Sequence, residues 1–501
     1  MLGDIRTLIC SQLIRKNTPL YNEAYRTISP LGILGCLKPL TTGHVESQQP
    51  NFRLIDTLGS SACTDAREQS QPDVDLRDLE LPIDGNRYVF NLTWLRDSCH
   101  CSKCTHQYTR QRLFTPKDFK RDHFTITQLE IVKEWKDKDS RWPGAKYGGS
   151  YLKTRWIDGH ESLYPLDWLR YIHNLYADRR YLTNLQPSQK LKFPKDDLYS
   201  AKDHSSLSPS PWSVAKIVEK LQPVSFSDLT DNFVYKEDAK FINANKITDM
   251  SSKRYQAMLS LTNQLVLFGL AKIVGVPLER NQVLSVTRSL AYDRPTGYGR
   301  VFDVTIEPSE EINLAYSSLE FDLHSDLTYR ETSPGVQLLH CIRNSTTGGL
   351  SYFSDAYQSA KILKEEYPEL FQVLAQFPAT FIIRDPYRAM NFRKHKTVIA
   401  INHEGELEDV YYSPFMLPPV GNVEDIKLFY LAMDKFTRLL QSGQNKFVTK
   451  MEPGELFMFH NRRVLHGRSS YNSADSQRFL QGCYMDWDEV RWLHEKLHNH
   501  K

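Results

Sequence analysis

Three thiols fall within six consecutive residues, Cys99-His100-Cys101-Ser102-Lys103-Cys104. Side chains that crowded cannot all pair with one another as disulfides, but they can share one soft metal ion, and zinc takes four tetrahedral ligands in a structural site. Spacing leaves the fourth ligand open. His100 and His106 would close tight chelate rings, while His123, His160 and His173 are all candidates. A site closed by four protein ligands builds a domain and leaves no position for substrate. Directly before the cluster, Tyr88, Phe90, Leu92 and Trp94 alternate with the period of a half-buried strand. Eight cysteines in 501 residues are otherwise ordinary usage, and their clustering suits a reducing compartment.

A chain of this length allows two or three domains. Residues 1–80 read as an N-terminal extension. Up to Pro50 it holds Arg6, Arg15, Lys16, Arg26 and Lys38 against Asp4, Glu23 and Glu46, with many hydroxyl residues and no secretory apolar run. That composition suits a mitochondrial targeting segment; a plain extension on a cytoplasmic protein is the alternative. Residues 81–178 are expected to form the zinc-binding domain, of α+β type. Residues 179–211, with four prolines and many serines, read as a linker. The larger domain, 212–498, mixes two periodicities. Asn422 is placed to cap a helix carrying Ile426, Phe429, Tyr430, Met433, Phe436 and Leu440, and Ser354 or Asp355 to start one carrying Leu363, Leu370 and Leu374. Strand-like runs are Gln264–Ile273, Gly335–Ile342, Thr397–Ile401, Leu456–Phe459 and Phe479–Trp487. Turns and long loops separate most of them, which argues for a mainly antiparallel sheet or barrel with helices outside, and against a doubly wound parallel sheet.

Composition narrows the partners. Lys+Arg 63 against Asp+Glu 60 leaves +3, too balanced for a nucleic-acid or anionic-membrane partner. The longest apolar stretch, Leu265 to Leu278, is interrupted by Lys272 and is too short to span a bilayer.

His324-Ser325-Asp326 precedes one strand-like run, and His466 follows another, with Gly467 opening the chain after it. Two histidines and one carboxylate on neighbouring strands make the face that binds non-haem Fe(II) and leaves positions open for co-substrate and oxygen. Arg478 comes 12 residues after His466, and on a strand it shares a face with Leu480, Gly482 and Tyr484. A guanidinium there suits the bidentate grip of a dicarboxylate.

These residues resemble a known family, the 2-oxoglutarate-dependent oxygenases of carnitine biosynthesis, which comprise gamma-butyrobetaine dioxygenase and trimethyllysine dioxygenase. The resemblance covers about residues 85–495. Trp94-Leu95-Arg96-Asp97, the cysteine cluster and Trp156-Ile157-Asp158-Gly159-His160 are similar to the family's N-terminal zinc domain. His324-Ser325-Asp326, Pro334–Cys341, Thr347-Gly348-Gly349 and Val464–Arg468 are similar to its catalytic domain, a double-stranded β-helix or jelly roll. The resemblance implies His160 as fourth zinc ligand beside Cys99, Cys101 and Cys104. It implies Fe(II) on His324, Asp326 and His466, and 2-oxoglutarate on Arg478 with Thr347 assisting. It further implies ascorbate as reductant, a homodimer, and oxidative decarboxylation to succinate and CO₂ coupled to hydroxylation of an unactivated C–H by O₂. Both family substrates end in a trimethylammonium, a cation without N–H donors that aromatic faces must hold. Tyr298, Phe302, Tyr316 and Tyr484 fall on the family's cage positions, with Phe302 where tryptophan is usual.

The cysteine cluster and Asn313, placed to hydrogen-bond the substrate carboxylate, are similar to gamma-butyrobetaine dioxygenase, which makes L-carnitine. Tyr298-Gly299-Arg300 is more similar to trimethyllysine dioxygenase. After Val410 the chain reads Tyr411–Met416 where both family members carry an Asn-rich stretch leading to Arg. A divergent paralogue acting on a related quaternary-ammonium carboxylate is the third reading. A non-enzymatic binding module would show loss of a metal ligand or of Arg478, and all are present.

Overall fold

An Asp-Gly pair sets the first hairpin. Asp84 and Gly85 both lie at positive φ, the two-residue turn whose twist matches paired strands. The computed structural model describes residues 52–55, 75–106, 112–114, 118–133, 149–176, 208–231, 249–305, 319–385, 389–402, 405–415, 421–472 and 477–498. The hairpin joins β2 (Asp78–Ile83) to β3 (Asn86–Asn91), and β1 (Arg53–Ile55) pairs with the other edge of β2. β1 and the start of β2 therefore lie inside the stretch expected as an extension, and β2 crosses the expected boundary at 80/81. The expected strand through Trp94 also stops early. Asn91 accepts from the Trp94 amide at 3.1 Å and caps α1 (Leu92–Asp97), so the cysteine cluster starts where a short helix ends. β4 (Ile126–Val132), β5 (Tyr151–Trp156) and β6 (Glu161–Pro165) form a second antiparallel sheet, followed by α2 (Leu166–Tyr176). Leu79, Leu81, Phe90, Leu95, Phe124, Leu152 and Trp156 fill the space between these elements, and Trp94 stacks on Trp168 at 5.6 Å. Up to residue 207 the expected linker lies outside the described residues.

The larger domain opens with α3 (Val214–Lys220), β7 (Val224–Ser225), α4 (Phe226–Thr230), α5 (Lys253–Phe268), β8 (Leu270–Val274) and α6 (Gln282–Leu290). Here the expected strand Gln264–Ile273 divides. Its first half is the end of α5, which Gly269 stops at φ 68, and only the rest is strand. A short apolar run has no periodicity that separates a buried helix from a buried strand. β9 (Phe302–Val304), β10 (Phe321–His324), β11 (Val336–Asn344) and β12 (Ser351–Asp355) follow. Asp355 accepts from the Tyr357 amide and caps α7 (Ala356–Glu366); Pro368 then begins a separate α8 (Pro368–Gln376), so Leu363 and Leu370 lie on two helices rather than one. Two hairpins come next, β13 (Pro378–Asp385) with β14 (Met390–Thr397), and β15 (Ile399–Ile401) with β16 (Leu407–Val410). The helix expected after Asn422 is α9 (Val423–Gln441). β17 (Lys446–Thr449), β18 (Leu456–His460), β19 (Val464–Arg468) and β20 (Arg478–Met485) complete the strands. Trp487, expected on the last strand, opens α10 (Trp487–His498).

Two sheets carry this domain: a six-stranded one in the order β7-β8-β18-β11-β20-β9 and a four-stranded one in the order β10-β19-β12-β17. All pairs are antiparallel except β7 with β8. This is the jelly-roll oxygenase fold expected from the sequence, and the side chains facing each other across the two sheets enclose a cavity. Val336, Leu338, Met458 and Met485 face the opposite way, onto α4, α5, α6 and α10. Phe353, Phe457, Phe459, Val464 and Trp212 pack one end of the sandwich. There Arg463 grips Asp355 through two hydrogen bonds of 3.0 and 3.1 Å, both residues being almost wholly buried, and the Trp212 amide binds the same carboxylate. Hydrogen bonds on this many sides offset the desolvation penalty of a buried pair.

α9 belongs to both halves. Phe429, Phe436 and Leu440 pack on the barrel, whereas Ile426 and Tyr430 pack on the N-terminal sheets. Lys427 Nζ reaches Asp78 Oδ2 at 2.6 Å, and the Tyr430 hydroxyl donates to Asp97. Among the described residues no helix is long and apolar enough to cross a membrane.

Candidate active site

The cavity between the sheets has a volume of about 130 Å³. β10 and β19 bring His324 opposite His466 in register. Their approach needs Gly467, because a Cβ there would lie 2.8 Å from the Phe321 carbonyl oxygen and 2.9 Å from the next backbone atoms. Asp326 follows in a turn held by Asn461, which accepts from the Asp326 amide at 2.8 Å and donates to its carbonyl at 3.0 Å. Leu327, next in line, takes a positive φ of 57°. The ligand atoms of His324, Asp326 and His466 all lie within 4.8 Å of one another.

The protonation pattern suits a cation. His324 Nδ1 donates to the Asp322 carbonyl at 2.7 Å, which turns Nε2 toward Asp326 Oδ1 at 3.2 Å with no hydrogen bond made. Burial and the neighbouring His324 push His466 down to about 3, so its ring is neutral. Burial alone would raise the Asp326 carboxyl, but His324, His466 and Tyr484 outweigh it and hold it well below the usual carboxylate range. Two imidazoles and one carboxylate on one face are the donor set of non-haem Fe(II), and the orphaned Nε2 fits such an ion.

At the other end of the cavity Arg478 is buried, and neither its Nε nor its Nη1 has a hydrogen-bond partner among the described residues. Arg468 lies beside it, and both guanidiniums sit over the Tyr471 ring, at 4.8 and 5.6 Å. Burial and then Arg478 push Arg468 down to about 10. Arg468 also donates to the Leu319 carbonyl at 2.8 Å, and two buried guanidiniums side by side suit an anion. Thr347 is not part of it. Gly348 and Gly349 turn the chain at positive φ, leaving Thr347 exposed, while Ser351 on β12 is buried and lines the cavity.

Aromatic side chains form the wall between the two charged ends. Phe302 stacks on Tyr484 at 5.0 Å, seated over Gly482, and the Tyr298 hydroxyl meets that of Tyr329 at 3.4 Å. Asn313 and Tyr316 lie outside the described residues. Ser413 and Phe415, from the divergent stretch after Val410, close the cavity next to the metal face.

Residues 242–484 match the family model of the taurine catabolism dioxygenase TauD, TfdA family, and residues 73–170 match that of the gamma-butyrobetaine hydroxylase-like N-terminal domain. Together these span about two thirds of the chain. The larger domain is thus similar to the TauD, TfdA dioxygenase family and the smaller one to the gamma-butyrobetaine hydroxylase-like N-terminal domain. The chain is similar to gamma-butyrobetaine dioxygenase of Pseudomonas sp. (strain AK-1), 28% identical over 81% of this chain and 90% of that one. Dioxygenase str8 of Strobilurus tenacellus is 28% identical over 82% and 86%. The mitochondrial trimethyllysine dioxygenase of Rattus norvegicus is 25% identical over 82% and 83%. The family is one of iron- and 2-oxoglutarate-dependent oxygenases acting with O₂ on small molecules, which agrees with the resemblance read from the sequence.

This dioxygenase holds its second cluster on residues that do not line the cavity. The Cys99, Cys101 and Cys104 sulfurs lie 3.4, 3.6 and 3.5 Å from His160 Nε2. A tetrahedral zinc with Zn–S of about 2.3 Å and Zn–N of about 2.0–2.1 Å separates S from N by about 3.5 Å, so the four donors fit that ion. His160 leaves a three-residue loop closed by Gly159 at φ 78, which is why spacing alone did not single it out. Arg96 donates to Cys104 Sγ at 3.4 Å and offsets the charge of the thiolates. His123 and His173, equally open from spacing, do not join this set of donors.

Among the cavity residues given no site role by the sequence reading are Tyr329, Gln337, Ser351 and Arg468. Only Arg468 carried a signal, as the basic residue two after His466 on the same strand face.

Proposed function

We propose that this dioxygenase hydroxylates gamma-butyrobetaine to L-carnitine. The observation that carries this reading is the layout of one cavity: the two-histidine, one-carboxylate face, an anion receptor, and an aromatic wall of Tyr298, Phe302, Tyr329 and Tyr484. His324, Asp326 and His466 would hold Fe(II), and Arg478 the distal carboxylate of 2-oxoglutarate with Arg468 and Ser351 beside it. Iron with 2-oxoglutarate and O₂ supplies the oxidising power for an unactivated C–H bond. The chain orients both substrates and excludes water, with Phe321 and Phe415 shielding the metal face. The aromatic wall receives the trimethylammonium. Asn313 and Tyr316 complete the substrate site in this reading.

The same reading places structural Zn(II) on Cys99, Cys101, Cys104 and His160, with ascorbate keeping the iron ferrous. It takes the protein as a mitochondrial homodimer with a targeting extension that ends before β1, a zinc-binding domain that includes β1 and β2, a linker and the oxygenase domain. Trimethyllysine is the second substrate reading, favoured by relatives of that name at similar identity. Mass spectrometry of separate incubations with gamma-butyrobetaine and trimethyllysine, with Fe(II), ascorbate and 2-oxoglutarate, tests the choice. Hydroxylated gamma-butyrobetaine with matching succinate is the expected result. Hydroxylated trimethyllysine alone would move the assignment, and iron-dependent succinate with neither product would mean another substrate.

A further inference from the structure

Helices α5 and α10 pack on the outer face of the six-stranded sheet, and none of their residues lines the cavity. His494 and His498 stand one turn apart on α10. Their Nε2 atoms lie 3.1 and 2.9 Å from Oδ1 of Asn263 on α5, and 3.0 Å from each other. Leu493 and Leu497, on the same helix, are buried in the core and fix its position.

No arrangement of protons makes all three edges of this triangle hydrogen bonds. Each imidazole Nε2 has one in-plane site, which is either an N–H or a lone pair and never both. If both rings donate to the amide oxygen, they converge on it at about 60°, far from its lone-pair directions, and the third edge carries no bond. If one ring donates to the other, the acceptor ring turns a lone pair on the oxygen. Reversing the amide leaves one side unmatched in the same way. A cation accepts lone pairs from all three atoms together, and the spacing is right for one. Donors 3.0 Å apart and each about 2.1 Å from one ion subtend about 90°, the angle of an octahedral face; a tetrahedral site would spread them to about 3.4 Å.

We propose that His494, His498 and Asn263 bind a divalent late transition-metal ion, separate from the iron and cysteine sites, which clips the C-terminal helix to α5. Two imidazole nitrogens with one amide oxygen are donors of Ni(II), Cu(II) and Zn(II) type, with water completing the sphere. The test uses untagged full-length protein, already loaded with iron and zinc and titrated calorimetrically with Ni(II). Comparison with His494→Gln/His498→Gln cancels any exchange at the other centres. Wild type is expected to take one more equivalent than the variant, and Ni(II) should raise the melting temperature of wild type only. Equal stoichiometry would overturn the proposal. Asn263→Asp and Asn263→Ala keep both rings and guard against a misfolded double variant. The carboxylate should tighten Ni(II) binding at this site by about tenfold and alanine should weaken it; unchanged affinity in both would also overturn the proposal.

Discussion

Tyr484 donates its phenolic hydrogen to Asp326 Oδ2 across 2.8 Å while its ring stacks on Phe302. The bond occupies one carboxylate oxygen and leaves the other, Oδ1, facing His324. One side chain thus orients a proposed metal ligand and forms part of the wall expected to hold substrate. Tyr484→Phe keeps the ring and removes the bond. Iron affinity should fall about 10- to 100-fold, with KM for the quaternary-ammonium substrate changed far less. Iron titration beside steady-state kinetics checks this, and an unchanged iron affinity would remove Tyr484 from the metal's support.

Arg478 is a buried cation awaiting an anion. Arg478→Met should raise KM for 2-oxoglutarate at least 100-fold, because one bidentate, charge-assisted contact accounts for several kcal/mol. The same change removes a buried charge that Tyr471 contacts but no carboxylate pairs among the described residues, so without co-substrate the variant should melt at or above the wild-type temperature. Melting curves with and without 2-oxoglutarate separate the two effects. A variant that melts well below wild type would show that the guanidinium has a structural partner.

Gly467 lets β10 and β19 approach closely enough to face His324 with His466. Gly467→Ala should push the strands apart by a few tenths of an ångström. Fold and zinc content should persist, and turnover should drop by about 100-fold or more, since a small misplacement of reacting groups has that scale of effect. Circular dichroism, metal analysis and succinate release are the measurements.

The two clusters should fail differently. His324→Ala or Asp326→Ala should abolish turnover with zinc and melting behaviour unchanged. Cys101→Ala should lose zinc and stability together, because ligand binding is folding energy in a structural site. Retained zinc and an unshifted melt in Cys101→Ala would contradict the role given to the cluster.

His340 on β11 is fully buried, neither ring nitrogen has a partner among the described residues, and burial pushes it down to about 4. Below about pH 6.5 the unfolded chain takes up a proton that the folded chain refuses until about pH 4, so stability falls as pH drops through that window. His340 alone should account for about 2 kcal/mol between pH 6.5 and 5. Burial depresses His460 in the same direction. Urea midpoints at pH 7 and 5 should therefore diverge, and His340→Leu should reduce the difference. A pH response equal to wild type would mean the ring is already paired.

Legibility in the sequence followed chemical identity. Three thiols, a His-x-Asp and a later His can be recognised because few other roles need those types together. A mainly antiparallel sheet or barrel was legible from strand runs without crossover helices, and the jelly roll from the family resemblance. What escaped was direction. Two glycines at positive φ turn Thr347 outward and bring Ser351 in, and no periodicity marks that. Tyr329 reaches the cavity from an irregular turn after Leu327, where neither helical nor strand spacing applies. The run Gln264–Ile273 was misread because its boundary is a single left-handed glycine inside an apolar stretch.

Helix α9 docks Ile426, Lys427 and Tyr430 on the cysteine-bearing half, and at its far end Gln441 donates to Asp322 at 2.6 Å, whose carbonyl holds His324. With zinc at the cysteine cluster as proposed, the two metal economies of the cell meet in one molecule. A chelator selective for zinc, with no affinity for the barrel, would then act as an inhibitor of an iron enzyme, and zinc shortage would register as a shortfall in its product.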